Sequence, residues 1–294
     1  MKNLKVLNIS GGGFAISGLA GAAEQVIKSG YNPDIISGIS SGSILTFILV
    51  ASKDPINVIK TNSIGFSSKV AFKHSPTNRS GIPTIRSIWN AITKNYLAEQ
   101  DNLGNTLMKM VSKTEWNEYI SNSASKDGIV IAVDFLTGAR RKFNLKEESY
   151  EDAITIVTAS CSIPVFVNPV MFRGDMLYDG GIRNHIASEW VLENYNNISD
   201  NVNIFSRPAD FTKYKQLSDL DNITSILMRT IEIMTYEISK SDETSTNLIS
   251  QLSGINNTNI YLPSLLKNTY DDNIDSQKLL YAVGRYNAKL AGFA

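Results

Sequence analysis

Cysteine is nearly missing from this chain. One, Cys161, stands among 294 residues, so no disulfide can close within it, which suits a reducing compartment. Histidine is as scarce, with only His74 and His185. So few soft ligands cannot build a metal site unless carboxylates supply it, and no metal or cofactor is expected. Neither sign of charge is in excess: 28 Lys and Arg face 28 Asp and Glu. That excludes the basic surplus of a nucleic-acid binder. Long hydrophobic runs are also missing. The longest, Ile44 to Ala51, is too short to cross a bilayer. The opening Met1 to Ile9 lacks the apolar length of a signal peptide. The expectation is a soluble, cytoplasmic protein, with secretion by a leaderless route left open. Repeats, low-complexity tracts and linkers are absent too, which predicts a single domain over residues 1–294.

The richest stretch is Asp34 to Leu45. An apolar run ends, two glycines bracket a serine, and an apolar helical pattern begins. Gly38-Ile39-Ser40-Ser41-Gly42 reads as G-x-S-x-G, a nucleophile elbow with Ser40 at the apex of a strand–turn–helix. Ser41 cannot be the apex, because Ile39 and Ser43 would then fill the glycine positions. The helix behind the turn aims its positive N-terminal end at the same spot.

Upstream, Lys5 to Ile9 reads as a strand broken by Gly11-Gly12-Gly13, and Phe14 to Ser29 has one apolar helical face. Successive glycine amides at a strand end can turn toward one point and hold an anion. Next to an elbow, that point is the carbonyl oxygen under attack. A flexible turn and a nucleotide phosphate loop are the other readings, but the Walker spacing is absent and Ile16 breaks G-x-G-x-x-G. Beyond a helix over Ser41–Ala51, short helical patterns fill residues 55–114, with a loop at 75–83. This insertion is expected to be a lid, a cleft wall or ordinary packing helices. His74 reads as a surface loop residue.

Further on, the pattern predicts a buried strand over Gly128–Asp134, a hairpin return at Arg141–Asn144 and a helix over Ser149–Ser160. Cys161 reads as a small buried thiol. Short strands are expected at Pro164–Val170 and Phe172–Tyr178, the second running into Asp179-Gly180-Gly181. An aspartate at a strand end before two glycines is either positioned for chemistry or a helix cap. Helices over Ala187–Tyr195, Ile223–Lys240 and Ser276–Leu290, with strands at Asn201–Phe205 and Asn259–Leu262, complete the chain. Strands alternating with helices argue for a parallel sheet covered on its faces.

Together, Gly11-Gly12-Gly13, Gly38 to Gly42 and Asp179-Gly180-Gly181 resemble the patatin-like phospholipase family. Val133 to Gly138, Ala159 to Pro164 and Ile182-Arg183-Asn184 extend the likeness, which spans Lys5 to Tyr195. The resemblance implies a three-layer α/β/α fold with a mainly parallel central sheet, and a Ser–Asp dyad. It makes Ser40 the nucleophile and Asp179 the base, with Gly11, Gly12 and Gly13 as oxyanion hole. It implies a phospholipase A-type lipid acyl hydrolase that needs no cofactor, acts on phospholipid or other lipid esters, and makes transient contact with a membrane surface. Oligomeric state is left open. Ala15 and Ile16 stand where the family usually has a basic residue and a glycine, and Ala187 replaces its proline; phospholipid preference is thus less firmly implied than ester hydrolysis. Two other readings remain. One is an α/β-hydrolase triad of Ser40, Asp134 or Asp179, and His185. The other is a lipid-binding module on the same fold that does not turn over.

Overall fold

A computed structural model describes residues 2–74, 83–94, 96–210, 223–265 and 273–294. In chain order the elements are β1 (Leu4–Ile9), α1 (Ile16–Lys28), β2 (Ile35–Ile39), α2 (Ser41–Ala51), α3 (Pro55–Ser63), α4 (Ser68–Ala71), α5 (Ile85–Lys94), α6 (Asp101–Met110) and α7 (Lys113–Ser121). Then follow β3 (Asp127–Asp134), β4 (Ala139–Asn144), α8 (Tyr150–Ser160), β5 (Val170–Phe172), β6 (Asp175–Asp179) and α9 (Ser188–Asn194). The last are β7 (Ile198–Phe205), α10 (Ile223–Ser253), β8 (Asn256–Tyr261) and α11 (Ile274–Leu290). The loop expected at 75–83 lies, except for Pro83, outside the described residues.

The strand order is β5-β6-β3-β2-β1-β7-β8, with β4 on the free side of β3. From β3 to β8 the neighbours run parallel; β4, β5 and β6 join antiparallel. Period-two alternation sends successive residues to opposite faces. Leu7, Ile9, Ile36, Val130 and Ile204 pack with α1, α2, α6, α8 and α11. Val6, Ile35 and Ile129 pack on the other side with Val191 and Leu192 of α9 and Ile249 of α10. The sheet is therefore sandwiched between helical layers.

A buried ladder of amides fixes the register of four strands. Asn8 on β1 faces Ser37 on β2 and Asn203 on β7, which in turn faces Asn259 on β8. Ser37 donates to Asn8 at 2.6 Å, Asn8 donates to Asn201 and Asn203, and Asn203 donates to Asn257 and Asn259. Buried amides need such partners, and slipping any strand by one residue would move its amide to the opposite face.

One expected element needs correction, and one helix was not expected. Residues 164–169 are not a strand, since Val165 sits at φ 72° and Pro164 and Pro169 have no N–H to donate. Helix α7, over Lys113–Ser121, lies beyond the helical patterns expected in residues 55–114. Its start is a capping box: Ser112 accepts from the Glu115 amide and Glu115 accepts from the Ser112 amide.

Candidate active site

Strands β2 and β6 meet end to end along one edge of β3. Ile39, the last residue of β2, pairs with Ile131, and Asp179, the last of β6, pairs with the next residue, Ala132. One strand runs parallel to β3 and the other antiparallel, so their C-terminal ends converge. Ser40 and Asp179 stand at that junction, the serine hydroxyl close enough to the carboxylate to favour its ionised form.

The elbow is sharp. Ser40 has φ 53° and ψ −126°, a conformation that costs an L-residue about 1–3 kcal/mol. It persists because its surroundings leave no alternative. A Cβ on Gly38 would lie 2.2 Å from the Gly42 carbonyl oxygen, and one on Gly42 would lie 2.3 Å from that of Ile9. The Ser40 amide donates to Ser160 Oγ at 3.0 Å, and Ser160 donates to the Ile131 carbonyl at 2.7 Å. Two residues on, the Ser162 carbonyl accepts the Asp179 amide at 2.8 Å. The C-terminal end of α8 and the turn after it thus brace both Ser40 and Asp179.

Asp179 is buried, and burial pushes its carboxyl up to about 7, against the Gly181 amide and the Ser40 hydroxyl, which favour the ionised form. The Gly181 amide donates to Oδ1 at 2.7 Å. Gly180 packs against the Ile131 carbonyl, leaving no room for a side chain.

The glycine loop follows β1. Ser10 donates its amide to Ile204, and the Ser206 amide donates to Ser10 Oγ, which fixes the loop on β7. The Gly11 amide is occupied, donating to the His185 carbonyl at 3.1 Å. It is therefore not a free donor. The amides of Gly12 and Gly13 have no acceptor among the described residues, and Gly13 turns through φ 53°.

Ser40, Asp179 and the three glycines border a cleft of about 220 Å³. Among the described residues, its far wall comes from Arg229, Glu232, Thr235 and Tyr236 of α10 and from Pro263–Leu265. Described residues of the insertion, Phe66, Ala71, Phe72, Gln100 and Leu103, line a smaller apolar cavity of about 40 Å³ that Ser40 also borders. Cys161 borders that cavity, and burial raises its thiol far above the usual range.

Sequence reasoning missed three residues. Arg207 is buried in the cleft wall, over the Phe205, Tyr236 and Tyr261 rings and ion-paired with Glu243. Asp242 on α10 accepts the His185 amide at 2.6 Å, the Ile186 amide at 3.2 Å and Asn184 Nδ2 at 3.0 Å. It clamps α10 to the loop that holds Gly11, and its burial pushes it up to about 6. Ser160 lay inside a stretch noted for its likeness, but nothing local marks it as the elbow's acceptor.

None of the described hydrogen bonds joins His185 to Ser40, Asp134 or Asp179. Burial, with nearby Arg207, lowers the His185 ring to about 3, so it stays neutral. Asp134 turns to Thr137, the Leu136 amide and Arg141 instead. Ala15 lines the cleft and Ile16 is core. Among the described residues no cluster of three His, Cys, Asp or Glu could hold a metal ion, and no helix is long and apolar enough to cross a membrane. His74 is exposed.

A sequence model described as patatin-like phospholipase matches residues 7–189. No curated protein sequence matches the chain. Among solved structures, VipD from Legionella pneumophila is similar in fold, with a TM-score of 0.58 at 13% identity, covering 99% of this chain and 67% of that one.

Proposed function

This chain belongs to the patatin-like phospholipase family, and we propose that it cleaves carboxylic esters of lipids through a Ser40–Asp179 dyad. Family membership supports lipid acyl hydrolysis in general. The observation that carries the finer reading is the convergence of Ser40 and Asp179 at one strand junction, in one cleft with two glycine amides unengaged among the described residues.

Asp179 takes the hydroxyl proton as Ser40 Oγ attacks the ester carbonyl carbon. The carbonyl oxygen becomes negative and is met by the Gly12 and Gly13 amides. The C–O bond to the alcohol breaks, and Asp179 returns the proton to the leaving oxygen. Water, deprotonated by Asp179, then attacks the Ser40 ester and frees the fatty acid. A carboxyl near 7 suits both halves, since a base works best near the ambient pH.

Arg207 and Arg229 in the cleft wall, each beside a glutamate, support a phosphate-bearing head group on that side. The apolar cavity beside Ser40 supports a hydrocarbon neighbour on the other. Purified protein is incubated with phospholipids and p-nitrophenyl esters, with chelator, beside Ser40→Ala and Asp179→Asn. Each variant should lose on the order of 10⁴ in rate, while His185→Ala keeps activity within about tenfold. Full activity in Ser40→Ala sinks the reading, and a loss in His185→Ala as large as in Ser40→Ala restores the triad.

A further inference from the structure

Helix α5 is built inside out. Its small polar residues Ser87 and Asn90 are buried, at 2% and 5% exposure, Ser87 bonded to Thr84 and Asn90 to the Leu97 carbonyl. Ile85, Ile88, Trp89 and Ile92 recur at i, i+3, i+4 and i+7 and face outward at 88%, 50%, 66% and 75%. A surface helix in water normally does the reverse. An exposed apolar patch of this kind marks an interaction site.

The charge around it says with what. From Pro55 to Ala98 the chain has six Lys and Arg and no Asp or Glu, although its whole is neutral. Lys73 and Lys94 lie 3.6 and 2.7 Å from Glu99, and Arg86 acts on the same carboxylate. Among the described residues, Lys73, Arg86 and Lys94 thus gather around Glu99 at the foot of the helix. A second copy of the chain would bring these cations against their own likeness. An anionic bilayer meets both features, taking the apolar face into its interface and the cations at its head groups. Ten residues are too few to span it, so the helix lies in the plane of the surface. Trp89 is the kind of residue that settles there.

The patch is tied to the site. The Lys73 amide donates to the Glu99 carbonyl at 2.9 Å, joining the chain before α5 to the chain after it. On either side of that bond, Phe72 and Gln100 line the apolar cavity beside Ser40. We propose that α5, with Lys73, Arg86 and Lys94, docks this protein on an anionic lipid bilayer, with the cavity beside Ser40 rooted at the docked face. The purpose of docking rests on the lipid-ester reading above; the docking itself is read by binding alone.

The test uses the full chain carrying Ser40→Ala, so that lipid is not consumed, with vesicles of phosphatidylcholine alone or with about 30% phosphatidylserine. Flotation should recover it with the anionic vesicles only, and Trp89 emission should shift to the blue. Trp89→Ser with Ile92→Ser should weaken binding roughly tenfold or more. Arg86→Glu with Lys94→Glu should weaken it by about fivefold or more per charge. In the Ser40 background both pairs should keep the wild-type rate on soluble p-nitrophenyl butyrate and the wild-type Tm. The proposal is overturned if wild-type binding ignores lipid charge or is absent, if the double variants bind as before, or if they abolish a dimer instead. A protein that binds vesicles but hydrolyses no ester leaves docking standing and removes the hydrolase reading. The converse removes docking alone.

Discussion

At the scale of single residues, Asp179 faces two opposed demands. Burial raises its carboxyl to about 7, which makes it a better base and a worse buried charge. As the base it must be ionised, so kcat/KM on a soluble ester should rise with pH through about 7 and then level off; a flat profile from pH 5 to 8 removes that role. For stability the sign runs the other way. The folded carboxyl holds its proton more tightly than the unfolded one, so its contribution is fully present below about 4 and lost as pH rises through about 7. Asp179→Asn, which carries no charge, should therefore be more stable than wild type at pH 8 by on the order of 2 kcal/mol. The gap should close toward pH 4, and thermal unfolding at both pH values reads it. Ser40 and Asp179 were legible in the sequence because their signals are local: glycines flanking a turn and a carboxylate at a strand end. Arg207, Asp242 and Ser160 were not, because each acts on residues more than 30 positions away.

Among the elements, α1 and α11 show how closely two helices can be made to approach. A Cβ on Gly21 would lie 2.1 Å from the Tyr281 carbonyl oxygen, and one on Gly284 would lie 2.2 Å from that of Gly18. Tyr281 also donates to the buried Glu24. Since α1 follows directly on the glycine loop, this contact steadies the turn that bears the Gly12 and Gly13 amides. Gly284→Ala should cost about 2–3 kcal/mol by forcing the helices apart. In contrast, Gly104→Ala on α6 meets only an ordinary 3.5 Å contact and should be neutral or stabilising by up to about 1 kcal/mol. Equal Tm shifts for the two would contradict this account. Most elements could be read from their periodicity, and α7 carried its capping box in plain sight. The long α10 could be read as a helix but not as a cleft wall, because that role exists only once β7 and β8 have set its position.

Across the whole molecule, the matched family region ends at residue 189, but the sheet does not. Strand β1 has β2 on one side and β7 on the other, so Leu7 pairs with both Ile36 and Val202. The amide ladder crosses the same boundary, with Asn8 bonded to Asn201 and Asn203. A chain cut after Tyr195 should therefore lack a stable core, and limited proteolysis should degrade it while the full chain resists. The sheet order beyond β3 was not legible, since nothing in the strand sequences says which distant strand each will pair with. That order also has a consequence in time. A ribosome makes Ser40 and the glycine loop well before the strand that holds the loop in place. The carbonyls and hydroxyls that hold the loop, at Ile204 and Ser206, emerge much later. Ser40 and the glycine loop are thus made before the segment that fixes their geometry, and a nascent chain carries the cleft unassembled.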